Sequence, residues 1–263
     1  MHKLIKCTVG ALSVAAMLLC LTACKEKESG SDTALSDSPA LLLLPTPLAE
    51  SEDMGEEYID EFVFLGESTT YHMKSRGVLR NGSATKQVWG PKSGTLMLDP
   101  TTANCRIVYP ETGEELDLCE AISRKRPKFI LLTFGLNGAT GIVTKGEDYF
   151  VACYEKLIGT LREASPETVV MLQSCFPVGA DMDMSGFSAD AATLNQYIEK
   201  INSWTERIAA RRSLGYLNTA EILRDEKGYL KSEYQADDHY HLNTEAYKAI
   251  LDYIRTHGYP EEA

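Results

Sequence analysis

The chain has 263 residues, 44% of them hydrophobic and 24% charged, the balance of a globular protein with a sizeable core and not of a disordered or collagen-like chain. Lys and Arg number 26 against 38 Asp and Glu, a formal net charge of -12. That is the wrong sign for a partner gripped through phosphates and argues against nucleic-acid binding.

The N-terminus reads as an export signal. Lys3 and Lys6 form a basic start, and Thr8 to Leu21 is apolar but shorter than the ~20 residues of a comfortable membrane span. The stretch ends Leu21-Thr22-Ala23-Cys24. Small residues before a cysteine look like the bacterial lipobox, which predicts a lipoprotein signal peptide over 1–24 and a lipid on Cys24. The exported chain would then be anchored to the membrane at the bacterial cell surface without spanning it. Losing Lys3 and Lys6 with the signal takes the charge to 24 - 38 = -14. Residues 25–58 carry two Lys and nine acids among Ser, Pro and Ala and show no period, so they read as a flexible acidic tether. Ala40 to Leu44 is an apolar exception where a docked segment is open.

Residues 59–263 have the length of one domain. Glu61 to Leu65, Lys128 to Phe134, Thr168 to Leu172 and Gly215 to Leu217 are short apolar runs, the pattern of strands buried on both faces. Between them apolar residues recur at helical spacing: Phe150, Val151, Tyr154, Leu157, Ile158 and Leu161; then Leu194, Tyr197, Ile198, Ile201 and Ile208; then Tyr247, Ile250, Leu251 and Ile254. Alternating strands and helices predict an α/β fold, a three-layer α/β/α sandwich on a parallel sheet of about five strands with the Glu61 strand central. In such a fold the site belongs at the C-terminal ends of the strands. Cys105, Cys119, Cys153 and Cys175 are spaced by 14, 34 and 22 residues, which fits no zinc pattern. Disulfides and free core thiols are both open.

Three loops at those strand ends carry reactive groups. Ser68 follows the first strand at the start of a helix, where backbone N–H groups stabilise developing negative charge; a plain helix cap would look the same. Asn137 follows the second strand in Phe134-Gly135-Leu136-Asn137-Gly138, as an amide donor or an ordinary turn. Asp238-His239-Tyr240-His241-Leu242-Asn243 precedes the last helix. An Asp three residues before a His can accept the Nδ1 proton and leave Nε2 as the base for a serine. A solvated polar turn is the bland reading, and a metal role for His239 or His241 lacks a third ligand.

Together these loops resemble the SGNH, or GDSL, hydrolase superfamily. Phe64-Leu65-Gly66-Glu67-Ser68 is similar to its first block, Gly135-Leu136-Asn137-Gly138 to its third and Asp238 to His241 to its fifth. The second block needs a glycine after a strand, and Trp89-Gly90-Pro91-Lys92-Ser93-Gly94-Thr95 offers two; Gly94 is preferred and Gly90 stays open. Glu67 stands where the family usually has Asp, and Gly138 where an Asp often follows the Asn. The resemblance implies a flavodoxin-like sheet and a serine esterase with Ser68, His241 and Asp238 as catalytic residues. It implies an oxyanion hole from Ser68, Gly94 and Asn137, and no metal or other cofactor.

Location and family together imply a short-chain O-acyl ester as substrate, such as an O-acetylated extracellular glycan. An O-acyltransferase on a surface glycan, or a non-catalytic glycan- or solute-binding lipoprotein, are the alternatives. Ser83-Ala84-Thr85-Lys86 and Lys92-Ser93-Gly94 imitate penicillin-binding-protein boxes but lie too close together for that fold. His72, four residues after Ser68, lacks an evident carboxylate to orient it and is expected to be a cleft or surface residue whose loss is nearly silent.

Overall fold

The computed structural model describes residues 44–260; the expected signal peptide, Cys24 and the expected tether up to residue 43 lie outside the described residues. In chain order the elements are α1 (Glu56–Asp60), β1 (Phe62–Gly66), α2 (Ser68–Ser75), β2 (Val88–Trp89), β3 (Arg106–Val108) and β4 (Glu115–Asp117). There follow α3 (Leu118–Lys125), β5 (Phe129–Thr133), α4 (Ala139–Lys145), α5 (Glu147–Ala164), β6 (Val169–Gln173), α6 (Ala191–Arg212), β7 (Gly215–Leu217), α7 (Ala220–Leu223) and α8 (Thr244–Thr256).

Five strands pair in parallel in the order β2-β1-β5-β6-β7, as their near-unbroken apolar character requires of a sheet covered on both faces. Successive side chains leave a strand on opposite faces, and this divides the core in two. Val63, Leu65, Ile130 and Leu132 pack with α3, α4, α5 and α6. Phe62, Phe64, Phe129 and Leu131 pack with α1, α2, α7 and α8. The result is the expected three-layer α/β/α sandwich.

Two expectations change. The central strand is β5, with β1 beside it; strand order follows from crossovers, which an apolar run does not encode. The described end of the expected tether is docked: Leu48 is 3% exposed, its N–H donates to Tyr216 O at 2.9 Å, and the N–H groups of Ser51 and Met54 donate to Thr256 and Arg255 carbonyls. The folded body thus begins near Leu48, ahead of the boundary at 58.

The register sets up the site. Gly66 pairs with Thr133, Thr133 with Gln173, Gln173 with Leu217 and Leu65 with Trp89, so all five strands end at one edge. A buried polar line crosses it: Thr133 Oγ1 donates to Gln173 Oε1 at 2.6 Å, and Gln173 Nε2 to Thr219 Oγ1 at 2.9 Å. The four cysteines among the described residues are unpaired, with Cys153 and Cys175 buried and Cys119 exposed.

Candidate active site

Ser68 is the first residue of α2, two residues past the end of β1. Gly66 must be small because a Cβ there would run into the Thr70 hydroxyl and the Thr133 carbonyl. As the helix starts, the N–H of Ser68 has no intrahelical partner and points along the positive end of the helix. Ser68 is half-buried while Thr69 and Thr70 behind it are buried, so the hydroxyl stands at the surface of a fixed frame. Tyr247 on α8 donates to Thr69 O at 2.6 Å and ties the helix start to the last helix.

Ser68 Oγ lies 3.0 Å from His241 Nε2, and His241 Nδ1 lies 2.6 Å from Asp238 Oδ2. The other carboxylate oxygen accepts from the backbone N–H of His241 at 2.9 Å and of Tyr240 at 3.2 Å. With Nδ1 donating to a carboxylate, Nε2 holds the lone pair that faces the serine. Burial pushes the Asp238 carboxyl up, but the bonds from the His241 side chain and backbone outweigh it and leave it below its ordinary value. The carboxylate stays ionised.

The loop carrying this pair rests on the one after β6. Gly179 N–H donates to His239 O at 2.7 Å, and Asp183 N–H to Asp238 O at 3.3 Å. That second loop is clamped to α6 by Asn202, which accepts from Cys175 N and donates to Cys175 O, and by Asn195, which does the same at Val178. Asn243 caps α8 by accepting from Ala246 N at 3.0 Å, and so fixes where the His241 loop ends.

Glu67 does not cap its own helix. Its buried carboxylate crosses to the loop after β5 and accepts from the N–H groups of Gly135 at 2.8 Å, Leu136 at 3.1 Å and Asn137 at 3.0 Å. Burial raises its pKa to about 7, against the lowering effect of those three bonds. Gly135 has φ 143, and a Cβ would lie 2.6 Å from Ile201 Cγ2, so the turn needs glycine. Glu67 therefore holds the Asn137 loop beside Ser68, a role the sequence marked only as a departure from Asp.

The expected oxyanion donors are placed differently from one another. The Asn137 amide is next to the site but engaged: Nδ2 donates to Thr95 Oγ1 at 2.8 Å and to Leu96 O at 2.9 Å. Gly94 is buried, and its N–H closes a turn on Pro91 O at 2.9 Å. Gly90 is half-buried and directly follows β2, so the Leu65–Trp89 pair sets it alongside Gly66. Of the two glycines, Gly90 has the position after a strand that the second block calls for. Among the described residues no group of His, Cys, Asp and Glu is arranged to hold a metal.

The profile of the GDSL-like lipase/acylhydrolase family matches residues 64–249. No curated protein matches the chain. Similar solved structures include a GDSL-like lipase from Bacteroides thetaiotaomicron, 16% identical over 75% of this chain and 87% of that one with a TM-score of 0.48. They also include the periplasmic domain of a lipopolysaccharide acetyltransferase from Salmonella ser. Paratyphi A, at 15%, 74%, 82% and 0.48. A family 3 carbohydrate esterase from Clostridium thermocellum is similar at 13%, 73%, 91% and 0.46.

Proposed function

From the premise that the chain belongs to the GDSL-like lipase/acylhydrolase family, we propose that it is a serine esterase that cleaves short-chain O-acyl esters by two-step acyl transfer. The observation that carries this reading is the line of hydrogen bonds Ser68–His241–Asp238, at 3.0 and 2.6 Å, at the C-terminal edge of the sheet.

In the first step Ser68 Oγ attacks the ester carbonyl carbon and its proton passes to His241 Nε2. Asp238 holds the Nδ1 proton and stabilises the imidazolium. The negative carbonyl oxygen meets the Ser68 N–H at the start of α2 and the Gly90 N–H, which replaces Gly94 in this role. The Asn137 amide joins them by leaving the Thr95 hydroxyl. Collapse breaks the bond to the alcohol oxygen, which takes the proton from His241 and departs, leaving the acyl group on Ser68. Water then gives a proton to His241 as it attacks the acyl carbon, and collapse restores Ser68 and frees the acid.

The export signal and lipobox read from residues 1–24 support a substrate outside the cell, and an O-acetylated glycan is the ester class that suits an anchored enzyme there. The test is a fluorophosphonate label together with a screen of acetyl, butyryl and octanoyl nitrophenyl esters and acetylated polysaccharides. The expected result is labelling of the wild type, none of Ser68→Ala, and fastest release from the acetyl substrates. A wild type that neither labels nor cleaves any ester would replace this reading by a binding protein. For the anchor, a Cys24→Ala chain is expected to lose its partition with membranes.

A further inference from the structure

His72 lies one turn after Ser68 on α2, with its ring centroid 4.2 Å from that of His241 and the planes inclined by 46°. On the loop side, Tyr240 makes a similar contact with His241 at 4.1 Å and 40°, and Phe187 backs Tyr240 at 5.2 Å. The His241 imidazole is thus flanked by rings from two elements, while its edges are taken by Ser68 and Asp238. The Ser68 hydroxyl and the Asp238 carboxylate can turn with the ring, so their two hydrogen bonds leave small swings about its Cα–Cβ and Cβ–Cγ bonds. Ring contacts from His72 and Tyr240 oppose those swings.

We propose that His72 is a positioning residue of the acyl-transfer site, its ring face setting the plane of the His241 imidazole so that Nε2 stays on line with Ser68 Oγ. The proposal rests on the Ser68–His241–Asp238 reading. It departs from the expectation that His72 is a bystander, because four residues on a helix place a side chain over the preceding turn, where the base sits.

The chemistry suits a neutral ring. Burial, then the proximity of His241 and Arg76, holds the His72 pKa below the ordinary histidine range, with Asp238 pulling the other way. His241 and Asp238 face it from the loop and Arg76 from its own helix; β1, β2 and the turn Gly82–Ala84, which also pack on α2, carry no titratable side chain. A neutral aromatic face tolerates the imidazolium that forms on His241 during catalysis, whereas a protonated His72 would repel it. His72 Nδ1 is buried with no partner, so an apolar ring of similar shape can replace this one without losing a bond at that atom.

The experiment measures kcat and KM on nitrophenyl acetate for the full chain and for His72→Phe, His72→Gln and His72→Ala, with melting temperatures alongside. The expected pattern is a kcat about 10-fold lower for Ala and Gln with KM within about 2-fold, and recovery to within about 3-fold of wild type for Phe, at an equal or higher melting temperature. The acid side of the kcat/KM profile should be steeper in wild type than in His72→Phe, because only the former has a second group whose protonation opposes the imidazolium. Wild-type kcat in His72→Ala overturns the proposal. So does a rise in KM at unchanged kcat, which would make His72 a substrate contact, or an equal loss in Phe and Ala. Ser68→Ala separates the levels: if it is inert while the His72 variants are normal, only the positioning role fails, and if it keeps full turnover the underlying reading fails.

Discussion

Ser68 and His241, the proposed nucleophile and base, are held by opposite means. Ser68 sits two residues beyond a strand paired on both sides, whose last residue is a glycine with no room for a side chain. His241 sits in a loop of irregular backbone, with His239 at φ 61, and is positioned by side-chain bonds and ring contacts. The difference teaches that the serine is part of the core in all but its hydroxyl, so its surroundings cannot change without unfolding the sheet edge. The histidine is placed by a few separable contacts, each of which can be removed while the fold survives.

Removing either side chain outright has the largest expected effect. Ser68→Ala and His241→Ala are each expected to lower kcat by about 10³- to 10⁶-fold with unchanged melting, as the two act as one unit; steady-state kinetics on nitrophenyl acetate checks this. Asp238→Asn comes next, at about 10²- to 10⁴-fold. The backbone N–H bonds at this carboxylate orient the carboxylate and not the ring, so the amide can present its NH₂ to Nδ1 and turn the imidazole to the wrong tautomer. A loss under 10-fold would show that the loop backbone orients the ring by itself.

On the serine side the damage should appear as lost stability. Gly66→Ala is expected to cost about 3 kcal/mol or more, since the new methyl group meets a backbone carbonyl that cannot yield. Denaturant unfolding measures it, and a cost under about 1 kcal/mol would mean the sheet edge is softer than its pairing implies.

Glu67 bridges the two regimes and has a sign that can be worked out. Its folded pKa of about 7 lies above the ordinary 4.5, so the folded state binds the proton more tightly. The stability it contributes is full below about pH 4.5 and is lost as pH rises toward 7, by on the order of 3 kcal/mol. Glu67→Gln should flatten that part of the stability profile. It should also lower stability at pH 5 by about 1–3 kcal/mol, because an amide nitrogen replaces one acceptor opposite backbone N–H groups.

The halves of the site were unequally legible in the sequence. β1, β5, β6 and β7 could be read because unbroken apolar runs mark their burial, and Ser68, Asp238 and His241 because helix start and three-residue spacing are local patterns. The two residues of β2 have no period to detect, so whether Gly90 or Gly94 follows a strand could not be read. The role of Glu67 lies in bonds to residues 68–70 positions away, and the contact of His72 with His241 spans the whole domain. Such links are properties of the fold and leave no local trace.

The smallest effect comes from Thr95, the partner of Asn137. The Asn137 amide hydrogens are both occupied in the resting site, on Thr95 Oγ1 and Leu96 O, so stabilising an oxyanion means exchanging one bond for another, and the gain is the difference between them. Thr95→Val removes the competing acceptor while Leu96 O still orients the amide. The resting site then pays about 1 kcal/mol for an unsatisfied donor, and the transition state, which supplies the missing acceptor, does not. kcat should therefore rise by about 2- to 5-fold as the melting temperature falls by a few degrees. Asn137→Ala in the same series should lower kcat by about 10²-fold. If Thr95→Val leaves kcat unchanged while melting falls, the amide serves to pin the Thr95–Leu96 segment, and the oxyanion is met by the Ser68 and Gly90 N–H groups alone.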